Sequence, residues 1–249
     1  MLAIIGGSGL TQLANLEIQH RQVIRTPYGE PSGALTFGQL NGEHVIFLAR
    51  HGYGHTIAPH DVNYRANIWA IQSQGVKDVM AVAAVGGIHP DLKPGTIVIP
   101  DQIIDYTYSR KSTFREGKEA PVVHMDFTEP YAQPMRELAM RAAAAAGETC
   151  VDGGVYATMQ GPRLETRAEI NRLERDGATM VGMTGMPEAA LAKEIGLSYA
   201  TISVVANYAA GRGSSKDAIH YEEVEVVLGQ AMGRVRRILE HVVALHGGA

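Results

Sequence analysis

Cysteine is nearly absent. With Cys150 alone, no disulfide can form within the chain, which fits a reducing compartment and sets the expectation of a cytoplasmic protein. Basic charge is not in excess either: 22 Lys and Arg against 26 Asp and Glu leave a net charge of −4. No nucleic-acid partner is therefore expected, because gripping a phosphate backbone takes clustered cations. The one such cluster, Arg234, Arg236 and Arg237, falls on a late amphipathic pattern and reads as a solvated helix face. No apolar run approaches the ~20 residues that cross a bilayer, and Met1 leads straight into Leu2–Ile5 without the basic stretch of a secretory leader. No membrane association is expected. Internal repeats and Pro/Gly/Ser-rich linkers are also missing, so residues 1–249 read as a single domain.

What is present is a succession of short apolar runs that stop at glycine or at a polar residue. Leu2–Ile5 ends at Gly6, and similar runs occupy Val45–Ala49, Val79–Val85, Thr96–Ile99, Val155–Thr158, Thr179–Gly182 and Tyr199–Ala206. Continuous apolar stretches of this length are strands of a sheet buried on both faces. Helical stretches lie between them. Asp61 offers an N-cap for Val62–Gln74, with Gly75 as the stop. Alanine-rich Pro134–Ala146 ends at Gly147, Pro187 opens a helix reaching Ile195, and Glu222–Leu245 forms a long terminal helix. The alternation predicts an α/β fold built on a mixed, mostly parallel sheet. The polar stretch Asp105–Glu129 reads as a long loop, and loops of that length are often functional.

Several candidate groups sit where strands end, the side on which open α/β sheets bind ligands. Gly6-Gly7-Ser8-Gly9 follows a strand directly and suits a nest of backbone amides around an anion. A plain tight turn would need the same glycines. The dinucleotide fingerprint is not met, since its third glycine position falls on Gln12, and no Lys follows for a Walker loop. Arg50 and His51 close the run Val45–Ala49; an Arg fork matches phosphate oxygens and His51 can add a donor. The nearby His55, His60 and Asp61 raise a rival metal reading, against which stand the adjacent Arg50, which repels a cation, and the lack of a helical His-x-x-x-His. No metal and no cofactor are expected. Glu165, in Gln160–Glu169, and Asn207, at the end of Tyr199–Ala206, are the remaining polar candidates. The bland alternatives are an ordinary charged helix face for the first and a turn residue for the second.

Taken in order, these segments resemble the purine nucleoside phosphorylase and 5′-methylthioadenosine phosphorylase superfamily over nearly the whole chain. The matching runs are Ile4–Leu10, Leu48–Gly52 with His55-Thr56-Ile57, Val62–Ala70, Gly161-Pro162-Arg163, and Gly182-Met183-Thr184 followed by Met186-Pro187-Glu188. The resemblance implies a homotrimer of three-layer α/β/α subunits, each around a mixed, mostly parallel twisted sheet, that uses inorganic phosphate as co-substrate. By position, Ser8, Arg50, His51 and Thr184 match phosphate ligands, and Met183 matches a residue that packs on the ribose hydroxyls. His55 and His124 match positions near the ribose and its 5′ group, with His124 reaching in from a neighbouring subunit. Leu164 and Tyr221 are expected among the substrate contacts, the latter with Ile219 and His220 at the 5′ end. One departure appears at Ala83, where relatives often carry a hydroxyl residue; the backbone amide of Ala84 remains available to phosphate.

Base specificity divides the superfamily. Methylthioadenosine phosphorylases carry Asp at the positions of Asn207 and Ala209 and typically Ser at that of Glu165, whereas oxopurine-specific members carry the Glu and the Asn. A 6-oxopurine has a hydrogen on N1 and an acceptor at O6. The Glu165 carboxylate accepts from the first, while the Asn207 amide donates to O6 and accepts from a protonated N7. Adenine reverses the N1 and C6 pattern, and sites built on hydrogen bonds reject such a mismatch by factors of ~10⁴ or more. Glu165 and Asn207 are thus the expected catalytic pair, and 5′-methylthioinosine the expected substrate. The alternatives are a general inosine or guanosine phosphorylase, a 5′-methylthioadenosine phosphorylase, a nucleoside hydrolase, and a non-catalytic nucleoside- or anion-binding module.

Overall fold

Two faces of one strand organise the molecule. The computed structural model describes residues 1–116 and 121–248; residues 117–120, inside the long polar loop, and residue 249 lie outside the described residues. Strand β1 (Leu2–Gly6) is buried along its whole length. Leu2 and Ile4 point to one side, into a cluster with Met135, Ala139, Val235 and Val242. Ala3 and Ile5 point to the other, against Ile68, Ile71, Ala189 and Leu191. Helices α2 (Gln133–Ala145) and α5 (Tyr221–Gly247) therefore cover one face of the sheet, and α1 (Tyr64–Gln72) and α4 (Gly185–Glu194) the other. This is the expected three-layer arrangement. A further helix, α3 (Arg167–Arg175), seats Ile170 and Leu173 on Ala157 and Val181. Among the described residues, no helix is long and apolar enough to cross a membrane.

The sheet runs β2 (Glu17–Gln22), β3 (Leu35–Leu40), β4 (Glu43–Ala49), β1, β5 (Asp78–Gly87), β10 (Met180–Gly182), β9 (Val155–Thr158) and β7 (Gln102–Asp105). A branch joins β11 (Ser198–Tyr208) to β5 and to β6 (Ile97–Ile99), which in turn meets β8 (Val151–Asp152). Strand β1 is parallel to β4 and β5, β5 to β11, and β9 to β7 and β10. The antiparallel pairs include β2 with β3 and β3 with β4.

Strand β5 is where the sheet forks. β11 runs beside it from Asp78 to Gly87. β1 pairs with it only from Asp78 to Ala81, and β10 only at Gly86 and Gly87. The stretch between them, Val82–Val85, has no strand partner on that edge among the described residues. Carboxyl ends of β1, β4, β10 and β11 gather at this gap.

The expected strands and helices are all present within a residue or three of their expected ends. One cap differs. Helix α1 is capped by Asn63, whose side chain accepts from the Ala66 N–H at 3.1 Å, and not by Asp61. The basic cluster on α5 is also less free than a solvated face, since Arg234 and Arg237 both reach Glu148. From 106 to 132 the described chain is without helix or strand, as a long loop should be.

Candidate active site

The gap in the sheet opens into a cavity of about 650 Å³. Of the residues singled out from the sequence, Ser8, Arg50, His51, His55, Ala84, Leu164, Glu165, Met183, Thr184, Asn207 and Tyr221 all line it. His124 does not; it lies in the long loop and is exposed. His220, next to Tyr221, is not on the lining, whereas Ile219 is.

Arg50 is the best-defined group. It stands one residue beyond β4, almost wholly buried, and its Nε and Nη2 donate to Glu188 Oε2 and Oε1 at 2.6 and 2.7 Å. Nη1 donates to the Val82 carbonyl at 2.9 Å, crossing the fork to the unpartnered edge of β5. Burial alone would push its pKa down, but the charge of Glu188 and the hydrogen bonds to it more than offset this and hold the guanidinium above its ordinary value. Three of its five N–H groups are thereby used, and two remain to meet an anion. Strand alternation puts the Ala84 N–H on the same edge as the Val82 carbonyl. Gly7 makes the crossing possible, since a Cβ there would stand 2.6 Å from the Val82 oxygen and 2.8 Å from Arg50 Nη1.

His51 is also buried, with Nδ1 at 2.8 Å from the Ile57 carbonyl. Burial, reinforced by the charge of Arg50, pushes its pKa down to about 4, so the ring is neutral at physiological pH. His55 stands 4.8 Å away, ring centre to ring centre, and its Nε2 is 3.4 Å from the Ser8 hydroxyl. It holds a left-handed backbone with φ of +51°, uncommon without glycine.

Across the cavity, Asn207 is aimed by an irregularity. The pairing register of β11 on β5 shifts between Val205 and Asn207, and such a bulge turns the following side chain relative to the regular pleat. The Asn207 amide donates one N–H to the Tyr208 carbonyl at 2.7 Å, leaving one N–H and the amide oxygen for a ligand. Glu165 comes from the segment between β9 and α3. It is half-buried, and burial raises its carboxyl above the usual carboxylate range. Its position is fixed by its neighbours. Thr166 caps α3 in a reciprocal box with Glu169, and Glu169 also receives both arms of Arg163 at 2.9 and 2.8 Å.

Two contributors went unread in the sequence. Glu188, fully buried, holds Arg50 and also accepts from the Tyr199 hydroxyl at 2.7 Å. After Pro187 it looks like an ordinary first-turn acid favoured by the helix dipole, and only the fold reveals its partner. Arg110, from the long loop, donates to the carbonyls of Gln160, Met183 and Met186 at 2.8, 2.8 and 2.7 Å. It thereby ties the Glu165 segment to the Met183-Thr184 turn. Nothing in a polar loop marks which arginine will do this.

The sequence profile of the phosphorylase superfamily matches residues 1–244. A protein of Pseudomonas syringae pv. tomato named "probable S-methyl-5′-thioinosine phosphorylase" is 50% identical over 242 residues, covering 97% of this chain and 98% of the relative. The 6-oxopurine nucleoside phosphorylase of Pyrococcus furiosus is 46% identical over 243 residues, covering 96% and 90%. Among solved structures, methylthioadenosine phosphorylase from Schistosoma mansoni in complex with adenine superposes with a TM-score of 0.94 at 33% identity, over all of this chain and 92% of the other.

Proposed function

The chain belongs to the phosphorylase superfamily, and from that premise we propose that it cleaves 6-oxopurine nucleosides with inorganic phosphate, 5′-methylthioinosine foremost. One observation carries the reading: a carboxylate, Glu165, and a carboxamide, Asn207, line the same cavity as the buried Arg50. The Schistosoma mansoni neighbour is described with adenine, so the shared fold does not choose the base. In the proposal the residues at 165 and 207 choose it.

Phosphate lies beside the fork, facing Arg50, Ser8, His51, Thr184 and the Ala84 N–H. A phosphate oxygen attacks the anomeric carbon as the bond to N9 breaks. Positive charge grows on the ribose, with Met183 and His55 beside it, and negative charge on the purine. Glu165 accepts from N1–H, the free N–H of Asn207 donates to O6, and its amide oxygen accepts from N7 once that nitrogen has taken a proton from solvent. Contacts that tighten as this charge develops lower the barrier, typically by about 3–4 kcal/mol for one well-aimed donor. The products are hypoxanthine and 5-methylthioribose 1-phosphate. No cofactor and no metal take part.

Ile219, Val224 and Leu228 are among the lining residues, and their apolar side chains suit a methylthio group better than a 5′-hydroxyl, which they cannot hydrogen-bond. His124 enters through a homotrimer in this proposal. The apolar side chains next to it support that: Val122 and Val123 are 83% and 55% exposed, an arrangement that a neighbouring subunit would cover. The setting is cytoplasmic. Steady-state rates on methylthioinosine, inosine and guanosine, with and without phosphate, test the reading. Turnover should require phosphate and favour methylthioinosine in kcat/KM. Product formed without phosphate would mean a hydrolase, and inosine matching methylthioinosine would mean a general oxopurine phosphorylase.

A further inference from the structure

The cavity wall beside Arg50 carries a ring nitrogen that cannot donate. His51 Nδ1 lies 2.8 Å from the Ile57 carbonyl oxygen, and a carbonyl oxygen only accepts. The ring hydrogen must therefore sit on Nδ1, which leaves Nε2 as a bare lone pair in the neutral ring. Nε2 has no hydrogen-bond partner among the described residues, and His51 lines the cavity next to Arg50. A second hydrogen on Nε2 would place a buried positive charge beside that guanidinium, a cost consistent with the depressed basicity of the ring. The nearest aromatic neighbour, His55, is no acid that could favour it, and Glu188 already holds Arg50 through both oxygens.

We propose that His51 selects the anion by accepting a hydrogen bond from it, so that the site takes a protonated oxyanion, monohydrogen phosphate, and discriminates against anions that carry no hydrogen. Monohydrogen phosphate offers three bare oxygens to the donors around it, Arg50, Ser8, Thr184 and the Ala84 N–H, and one P–OH to Nε2. Sulfate has the same shape and charge but four bare oxygens, one of which would face the Nε2 lone pair. Monofluorophosphate at neutral pH fails in the same way, with fluorine in place of the hydroxyl. Arsenate, which keeps its hydroxyl, does not. The sequence alone had suggested His51 as one more donor; the Ile57 contact reverses that role.

The inference rests on the phosphorolysis proposed above, and an anion panel separates the two. Binding of phosphate, arsenate, sulfate and monofluorophosphate to the wild-type protein at neutral pH is measured by calorimetry. Phosphate and arsenate should bind alike, and the two hydrogen-free dianions about ten- to a hundredfold more weakly, the penalty for opposing two acceptors at a buried site. In His51→Gln the amide can turn its NH₂ toward the anion, and the phosphate-to-sulfate preference should fall by about tenfold. Nitrogen NMR of the wild type with phosphate bound should show Nε2 without a hydrogen. If phosphate and arsenate bind but sulfate binds equally well, or Nε2 is protonated, the role of His51 is refuted while phosphorolysis stands. If neither phosphate nor arsenate binds, phosphorolysis itself falls, and this inference with it.

Discussion

Replacing Glu188 with Gln removes one charge from a buried pair while keeping its volume. In the native protein two carboxylate oxygens receive three donors: Arg50 Nε at 2.6 Å, Arg50 Nη2 at 2.7 Å and the Tyr199 hydroxyl at 2.7 Å. Glutamine offers one oxygen and one NH₂ in the same space. If its oxygen keeps the Oε1 contacts, the NH₂ points at Arg50 Nε–H, donor against donor. Arg50 is left as a buried, uncompensated charge, since its other partner, the Val82 carbonyl, is neutral. Breaking a buried pair from one side costs about 3–5 kcal/mol. In a chain of this size each kcal/mol moves Tm by about 2–4 °C, so a fall of about 6–20 °C is expected. The second readout is functional. A guanidinium no longer held in place presents its two free N–H groups poorly, so KM for phosphate should rise more than KM for the nucleoside. Scanning calorimetry and initial rates with each substrate varied in turn give both numbers. A Tm within about 2 °C of wild type, with KM for phosphate unchanged, would show that the pair neither stabilises the fold nor orients Arg50.

Three further perturbations test neighbouring steps. Gly7→Ala puts a methyl group against the Val82 oxygen and Arg50 Nη1; a loss of about 1–3 kcal/mol in urea unfolding is expected, with weaker phosphate use, and wild-type stability and KM would contradict the tight crossing. Asn207→Asp should raise activity on 6-aminopurine nucleosides relative to 6-oxopurines by about tenfold or more, and an unchanged ratio of kcat/KM values would remove Asn207 from base selection. The third concerns acid stability. The folded pKa of His51, about 4, lies below its unfolded value of 6.5, so between these the unfolded chain binds the extra proton. Stability is lost as pH falls through that window, by up to about 3 kcal/mol from this one group. Urea midpoints of wild type and His51→Gln between pH 7 and 4 should therefore converge on acidification, and parallel curves would show that His51 is not buried neutral.

The parts of the molecule legible in the sequence are those where burial is continuous. Strand β1 is apolar from end to end, and β5 and β11 are mostly apolar and almost wholly buried, because helices cover both faces; such runs need no partner to be recognised. Strand β2 is the opposite case. Every residue of Glu17–Gln22 is exposed, so it carries no apolar signal and exists only through its pairing with β3. Helix α1 shows the limit at a terminus: Asp61 and Asn63 are both good caps, and the choice depends on which one the entering chain turns toward the Ala66 N–H. At the site, Arg50 and Asn207 could be picked out as polar groups at strand ends, and Glu165 from the family pattern around it. The devices that hold them could not. The register shift before Asn207, the Glu188 carboxylate behind Arg50 and the Arg110 fork between two loops are relations between distant segments. None has a local pattern.

The proposed choice between 6-oxopurine and 6-aminopurine nucleosides turns on the hydrogen that a lactam base carries on N1 and an amino-substituted base does not. The most direct measurement is kcat/KM for 5′-methylthioinosine against 5′-methylthioadenosine, under saturating phosphate, on the unmodified protein. A preference for methylthioinosine of ~10⁴ is expected; equal rates, or faster cleavage of methylthioadenosine, would contradict the account.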